Sequence, residues 1–261
     1  MLRRINIDDT MLVRMRIFQV NNLESSSKPQ FCISIDQPEL TLSDIISNMD
    51  RSKYLDDHER LTRYIYKLRK VFKMIGDGIN YLHSQGVIHG HINANTCGKF
   101  DDGWKLLDLI GSDTIGSYLK TDRINQSSPP EAVIGEGKNT SNFKLSERIM
   151  ANISLDIWAF GKLMYEVLVG KQLIQIDSHK MVETDDLFLG KLKNWNEDDL
   201  SNVVTEIETA GVGTLAADLI SHCLCPFPEH RPKDMSDVLT HPYWNDSKSF
   251  QNVVKKSKRR H

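Results

Sequence analysis

No run approaching the ~18 consecutive apolar residues needed to cross a bilayer occurs in this 261-residue chain. The most apolar stretch, IWAFGKLMYEVLV, is broken by Lys162 and Glu166 and suits a buried helix. The N-terminus, MLRRINIDDTMLVRMRIF, carries early charges without an uninterrupted apolar run, which argues against a signal peptide. Cysteine is scarce: the four are Cys32, Cys97, Cys223 and Cys225. Cys223 and Cys225 stand one residue too close for a C-x-x-C metal knuckle, and no second such pair exists. All four therefore read as reduced thiols of a cytoplasmic protein. A large excess of one charge is also missing. The net charge of −2 argues against a broad nucleic-acid-binding face, which would need a basic surface. Finally, residues 1–30 contain no glycine, so no glycine-rich phosphate-cradling loop can form there.

What is present is an ordinary globular composition, 39% hydrophobic and 26% charged, in a chain long enough to bury a substantial core. Two β-branched or apolar runs, residues 11–20 and 30–35, are separated by NNLESSSKP and read as strands joined by a loop. Thr41-Leu42-Ser43-Asp44 opens a short helix with Thr41 or Ser43 as cap. Leu61, Ile65, Leu68, Phe72, Ile75, Ile79 and Leu82 step by 3 or 4 and predict one long helix with a single apolar stripe, ended by Gly86. VIH and WKLLDL read as small strands. Residues 111–150 read mostly as loop, and helices are expected over 154–169, around 214–225 and over 234–241. The tail KKSKRR (255–260) reads as solvated, with nuclear import or an anionic surface as the alternative. A scrap of sheet before a helical body is unusual for a complete domain, so the chain is expected to begin partway through a larger unit.

These spaced features together resemble the protein kinase superfamily. YLHSQGVIHGHINANT, after the long helix, resembles the segment ending in H-R-D-L-x-x-x-N. KLLDLIG is similar to the strand and turn carrying D-F-G, SSPPEAV to the A-P-E motif, and DIWAFGKLMYEVLVG to the central helix of the larger lobe. DLISHCLCPFPEHRPKDMSDVLTHPYW is similar to the closing helices, and FCISIDQPELTLSDII to the strand and hinge between lobes. The resemblance implies an α+β, protein-kinase-like fold that is mostly a helical C-lobe. Residues 1–39 would be remnant N-lobe strands and hinge, 40–246 the C-lobe, and 247–261 a basic disordered tail.

Against that family pattern, the phosphate-gripping parts are absent. The lysine and glutamate that should hold ATP phosphates have no credible substitutes: Lys28 lies beside a proline, and Glu24 is too near it in sequence. In the catalytic loop His89 matches the family's histidine, while Gly90 replaces arginine and His91 replaces the catalytic aspartate. Asn93 replaces the phosphate-contacting lysine, and Thr96 the metal-binding asparagine. A histidine can accept a proton but brings no negative charge to a metal-rich site. Asp108 keeps an acid at the D-F-G position, with the glycine displaced to Gly111. It reads either as a holder of nucleotide-bound metal or as a hydrogen-bonding partner of the loop beside His89.

The structural skeleton is retained. By the resemblance, Glu131 and Arg231 form an ion pair tying the activation segment to the C-lobe, and Asp156 accepts hydrogen bonds from the catalytic-loop backbone with His89 in the same network. Gly90 removes the arginine that would read an activation-segment phosphate, which argues against switching by phosphorylation. GEGKNTSNFKLSERIMANISL, before Asp156, is longer than the family's usual link and reads as a solvated insertion or a partner-binding loop.

The expectation is a catalytically inactive kinase-like module, regulatory or protein-binding, with protein partners and no cofactor. Its loop HGHINANTC also resembles the kinase-homology domain of receptor guanylyl cyclases. The alternative is an active Ser/Thr-type kinase using Mg–ATP, with His91 as base and an N-lobe missing from this chain. A third reading is a degenerate fragment.

Overall fold

Antiparallel pairing of β1 (Met15–Val20) with β2 (Gln30–Ile35) sets Met15 opposite Ile35 and Val20 opposite Gln30. This hairpin belongs to a computed structural model that describes residues 10–20, 30–48, 57–119, 127–134, 144–145, 149–175 and 184–245. Glu24, Lys28 and the tail 247–261 lie outside the described residues. The strand expected from residue 11 begins only at Met15. Leu12 instead makes a parallel bridge to Leu106 and is fully buried, and Met11 and Val13 exchange backbone hydrogen bonds with Leu106 at 3.1 Å. Burying Leu12 draws this stretch away from the hairpin.

β3 (Leu40–Thr41) leads directly into α1 (Leu42–Asn48). Thr41 is its cap: the hydroxyl accepts the Asp44 N–H at 3.2 Å, and the Asp44 carboxylate accepts the Thr41 N–H at 2.7 Å. Ser43 lies inside the helix.

The long helix α2 spans His58–Ser84, with the Asp57 carboxylate accepting the N–H groups of Glu59 and Arg60. All seven stripe residues from Leu61 to Leu82 are buried, as the 3–4 spacing requires of a helix with one face in the core. Gln85 caps it, and Gly86 follows in the left-handed region at φ 73°.

β4 (Val87–Ile88), β5 (Cys97–Phe100), β6 (Gly103–Leu106) and β7 (Asp113–Thr114) are short. β3, β5 and β6 form one small antiparallel sheet, and β4 pairs with β7. The 111–150 region expected as loop thus holds β7, a 3-10 turn at Pro130–Ala132, and the pair β8 (Val133–Ile134) and β9 (Lys144–Leu145).

α3 (Ile153–Val169) is apolar nearly all round and therefore sits at the centre. It packs against α2 and against two later helices, α5 (Glu197–Thr209) and α6 (Thr214–Cys223). α4 (Thr184–Lys193) precedes α5, and α7 (Met235–Thr240) packs on α2. α4 and α5 were not foreseen. α5 turns Leu200, Val203, Val204 and Ile207, spaced by 3 and 4, toward the core, and with its Asn196/Asp199 capping box both the stripe and the start signal were legible. No helix among the described residues is long and apolar enough to cross a membrane.

Candidate functional site

The end of α2, β4 and the N-terminal turn of α3 meet at Asp156, whose side chain is fully buried. Its Oδ2 accepts the backbone N–H of His89 at 2.7 Å and lies 2.9 Å from His83 Nε2, while Oδ1 accepts the N–H of Gly90 at 2.9 Å. Burial pushes this carboxyl's pKa up, but the His83 and His89 rings and the Gly90 N–H more than reverse that and hold it below its ordinary value. The carboxylate thereby clamps the loop 89–90 to the central helix.

His89 extends the clamp. Its Nδ1 accepts the N–H of His91 at 3.2 Å, so the ring proton resides on Nε2, which donates to the Leu107 carbonyl at 2.8 Å. Burial lowers its pKa and keeps it neutral. The ring thus ties the loop to the strand end leading to Asp108.

Gly90 has φ 73°, and a Cβ there would fall 2.9 Å from the Gly111 carbonyl oxygen. Backbone conformation and crowding both disfavour any side chain at this position.

The residues standing in the catalytic positions face two ways. His91 and Asp108 are each about two-fifths exposed, with Nδ1 of the one 3.9 Å from Oδ2 of the other. Asn93, half-buried, and Thr96, buried, bond back to the loop. The Asn93 amide caps the following 3-10 turn by accepting the Asn95 N–H at 2.8 Å and donates to the His91 carbonyl at 3.1 Å. The Thr96 hydroxyl is 4% exposed at residue level, accepts the Asn93 N–H at 2.9 Å, and lies 3.0 Å from the His91 carbonyl. Every polar group of these two side chains is committed to the loop itself.

Asp108 is the one non-glycine residue with positive φ among the described residues, at φ 55°. Its carboxylate caps the turn Leu109–Gly111 through the Ile110 N–H at 3.4 Å. The left-handed residue of this turn is the aspartate, a conformation Asp tolerates better than most.

Positions 96 and 108 are those that the resemblance assigns to metal. Of these, Asp108 alone presents a free carboxylate edge, because the Thr96 hydroxyl is enclosed. Magnesium needs near-octahedral oxygen ligation with protein carboxylates at its anchor. At the connector between β2 and β3, a Cβ on Gly98 would fall 2.8 Å from Pro38 Cβ and 3.0 Å from Leu107 Cδ1. Pro38 offers no N–H there, and its ring covers Gly98.

Away from the loop, Arg231 and Glu131 form a bidentate pair, with Nη1–Oε1 and Nη2–Oε2 both 2.8 Å. The Arg231 side chain is fully buried, also donates to the Ser154 side chain at 2.9 Å and the Cys225 carbonyl at 2.8 Å, and lies over the Trp158 ring. Cys97, Cys223 and Cys225 are free thiols; burial pushes Cys97 and Cys223 up to about 12. The side chain of Cys32 lies outside the described residues.

The protein kinase domain family matches residues 32–244. A probable serine/threonine-protein kinase of Dictyostelium discoideum, fhkE, is 25% identical over 257 residues, 92% of this chain and 33% of that protein. The serine/threonine-protein kinase TOS3 of Saccharomyces cerevisiae is 26% identical over 183 residues, 67% of this chain and 32% of that protein. The chain thus spans about a third of the length of these curated relatives. The structure of the Cydia pomonella granulovirus kinase PK-1 superposes with a TM-score of 0.56 at 16% identity, covering 87% of this chain and 74% of that one. At that identity the superposition speaks for the fold alone. The chain belongs to the protein kinase domain family, with a kinase-like α+β fold.

Proposed function

We propose that this chain is a kinase-like module that does not transfer phosphate and acts as a regulatory or protein-binding element in the cytoplasm. The observation that carries this reading is that the buried Thr96 and the half-buried Asn93 bond their polar groups within the loop. His91 adds to it, because an imidazole replaces the carboxylate that would orient and deprotonate a substrate hydroxyl. Losing a positioned base typically lowers a rate by about 10²–10⁴, and losing an electrostatic stabiliser by about 10²–10³.

One observation favours the second reading, an active Ser/Thr-type kinase. His91 and Asp108 remain half-exposed and adjacent, leaving a base and an acid on the open side of the loop.

Thermal unfolding with and without millimolar Mg–ATP separates the two. A ligand at about 100 times its dissociation constant stabilises by about 2.7 kcal/mol. The module reading expects no shift and no transfer of phosphate to a generic protein substrate. A shift, accompanied by transfer that disappears in His91→Ala, would establish the active reading instead.

A further inference from the structure

Where α6 meets the turn after α7, three potential metal ligands converge. Asp218 and His222 stand one turn apart on α6, and His241 follows the last residue of α7. Asp218 Oδ1 lies 3.6 Å from His222 Nδ1, Asp218 Oδ2 lies 2.9 Å from His241 Nε2, and the three ligating atoms fall within 4.8 Å of one another. Ligands at ~2.0–2.1 Å around a tetrahedral zinc ion sit ~3.4 Å apart, close to both measured distances, which run to the two oxygens of the one carboxylate. The Asp218 and His222 side chains are more than half exposed, so the i,i+4 pair can close the remaining gap by rotamer change.

We propose that Asp218, His222 and His241 form a binding site for a borderline divalent cation of the zinc class, with water completing the tetrahedron. Two imidazoles and one carboxylate select zinc, cobalt or nickel over magnesium and calcium, which prefer all-oxygen sets. The ion ties α6 to the turn after α7, the last described segment of the chain.

Binding changes two hydrogen bonds, replacing the His241 Nε2–H contact to Asp218 by the metal and giving up the one to Tyr243. His241 Nδ1 accepts the Tyr243 N–H at 3.2 Å, which leaves the ring proton on Nε2 facing Asp218. Ligation through Nε2 moves that proton to Nδ1 and gives up the Tyr243 contact, a long and weak bond. The site is separate from the catalytic-loop region, and its fate does not depend on whether that loop is active.

The test is zinc and cobalt titration of the full chain, with Asp218→Asn and His222→Ala for comparison. Wild type takes up one more equivalent of zinc than either variant, or binds that equivalent at least about tenfold more tightly, the scale seen even for outer-shell changes at metal sites. Cobalt gives intense visible bands of a tetrahedral ion without near-ultraviolet thiolate absorption, and His222→Ala abolishes them. Zinc raises the melting temperature of wild type and leaves that of His222→Ala unchanged. Equal uptake by wild type and both variants overturns the proposal, as does a cobalt spectrum dominated by thiolate absorption.

Discussion

The Thr96 hydroxyl accepts the backbone N–H of Asn93 at 2.9 Å while lying 3.0 Å from the His91 carbonyl, so one buried oxygen closes the loop between them. In a kinase this position reaches toward a metal; here it is a fastener. Thr96→Val keeps the shape and removes the fastener. The Asn93 N–H then lacks its acceptor, and stability falls by about 1–3 kcal/mol in urea unfolding. A change below about 0.5 kcal/mol, the ordinary range for a surface substitution, would remove Thr96 from this role.

Glu131→Ala strands the buried Arg231 guanidinium, and the fall in stability is about 3–5 kcal/mol. The remaining acceptors, the Ser154 side chain and the Cys225 carbonyl, place the value toward the lower end. The double variant Glu131→Ala/Arg231→Met is more stable than Glu131→Ala, because no charge is left unpaired in the interior. Denaturant midpoints of the three proteins check the order.

Gly90→Ala and Gly86→Ala make a controlled pair, since both glycines have φ 73°. A Cβ at Gly86 meets nothing within 4 Å, whereas one at Gly90 falls 2.9 Å from the Gly111 oxygen. Both lose about 1 kcal/mol or more from backbone strain, and Gly90→Ala loses more. In a thermal melt each kcal/mol appears as roughly 2–4 °C for a domain of this size.

Acid weakens the clamp between Asp156 and the loop. The Asp156 pKa is depressed in the fold, so its stabilisation is present above the unfolded carboxyl value and disappears as pH falls through the folded one. The His89 pKa is also depressed, so between its folded value and 6.5 the unfolded state binds the extra proton and stability again falls with pH. Each group contributes a slope of up to about 1.4 kcal/mol per pH unit within its own window. Urea unfolding at a series of pH values from 7.5 downward measures this, and His89→Asn removes the part beginning near 6.5. An unchanged slope in that variant would falsify the assignment to His89.

The helix stripe of α2 and the turn at Gly86 were legible because each depends on neighbours three or four residues away. α4 shows little apolar repetition at helical spacing, whereas α5 carries the stripe Leu200, Val203, Val204 and Ile207 and was legible beside its capping box. The strand expected over residues 11–20 was shortened by a long-range contact, Leu12 on Leu106, that no local pattern encodes.

The sequence by itself determined which chemical groups stand at the loop: an imidazole at 91, an amide at 93, a hydroxyl at 96 and a carboxylate at 108. It also determined, through five motifs in order, the family to which the chain belongs. Only the tertiary structure decided the direction each group faces. The buried Thr96 hydroxyl turns into the loop because an enclosed polar atom must find partners, and the half-buried Asn93 amide bonds the same loop's backbone. His91 and Asp108 stay open because nothing packs over them strongly enough to enclose them. The same holds for Asp218, His222 and His241: spacing on α6 pairs the first two, but the third is brought to them only by the packing of the final turn against that helix.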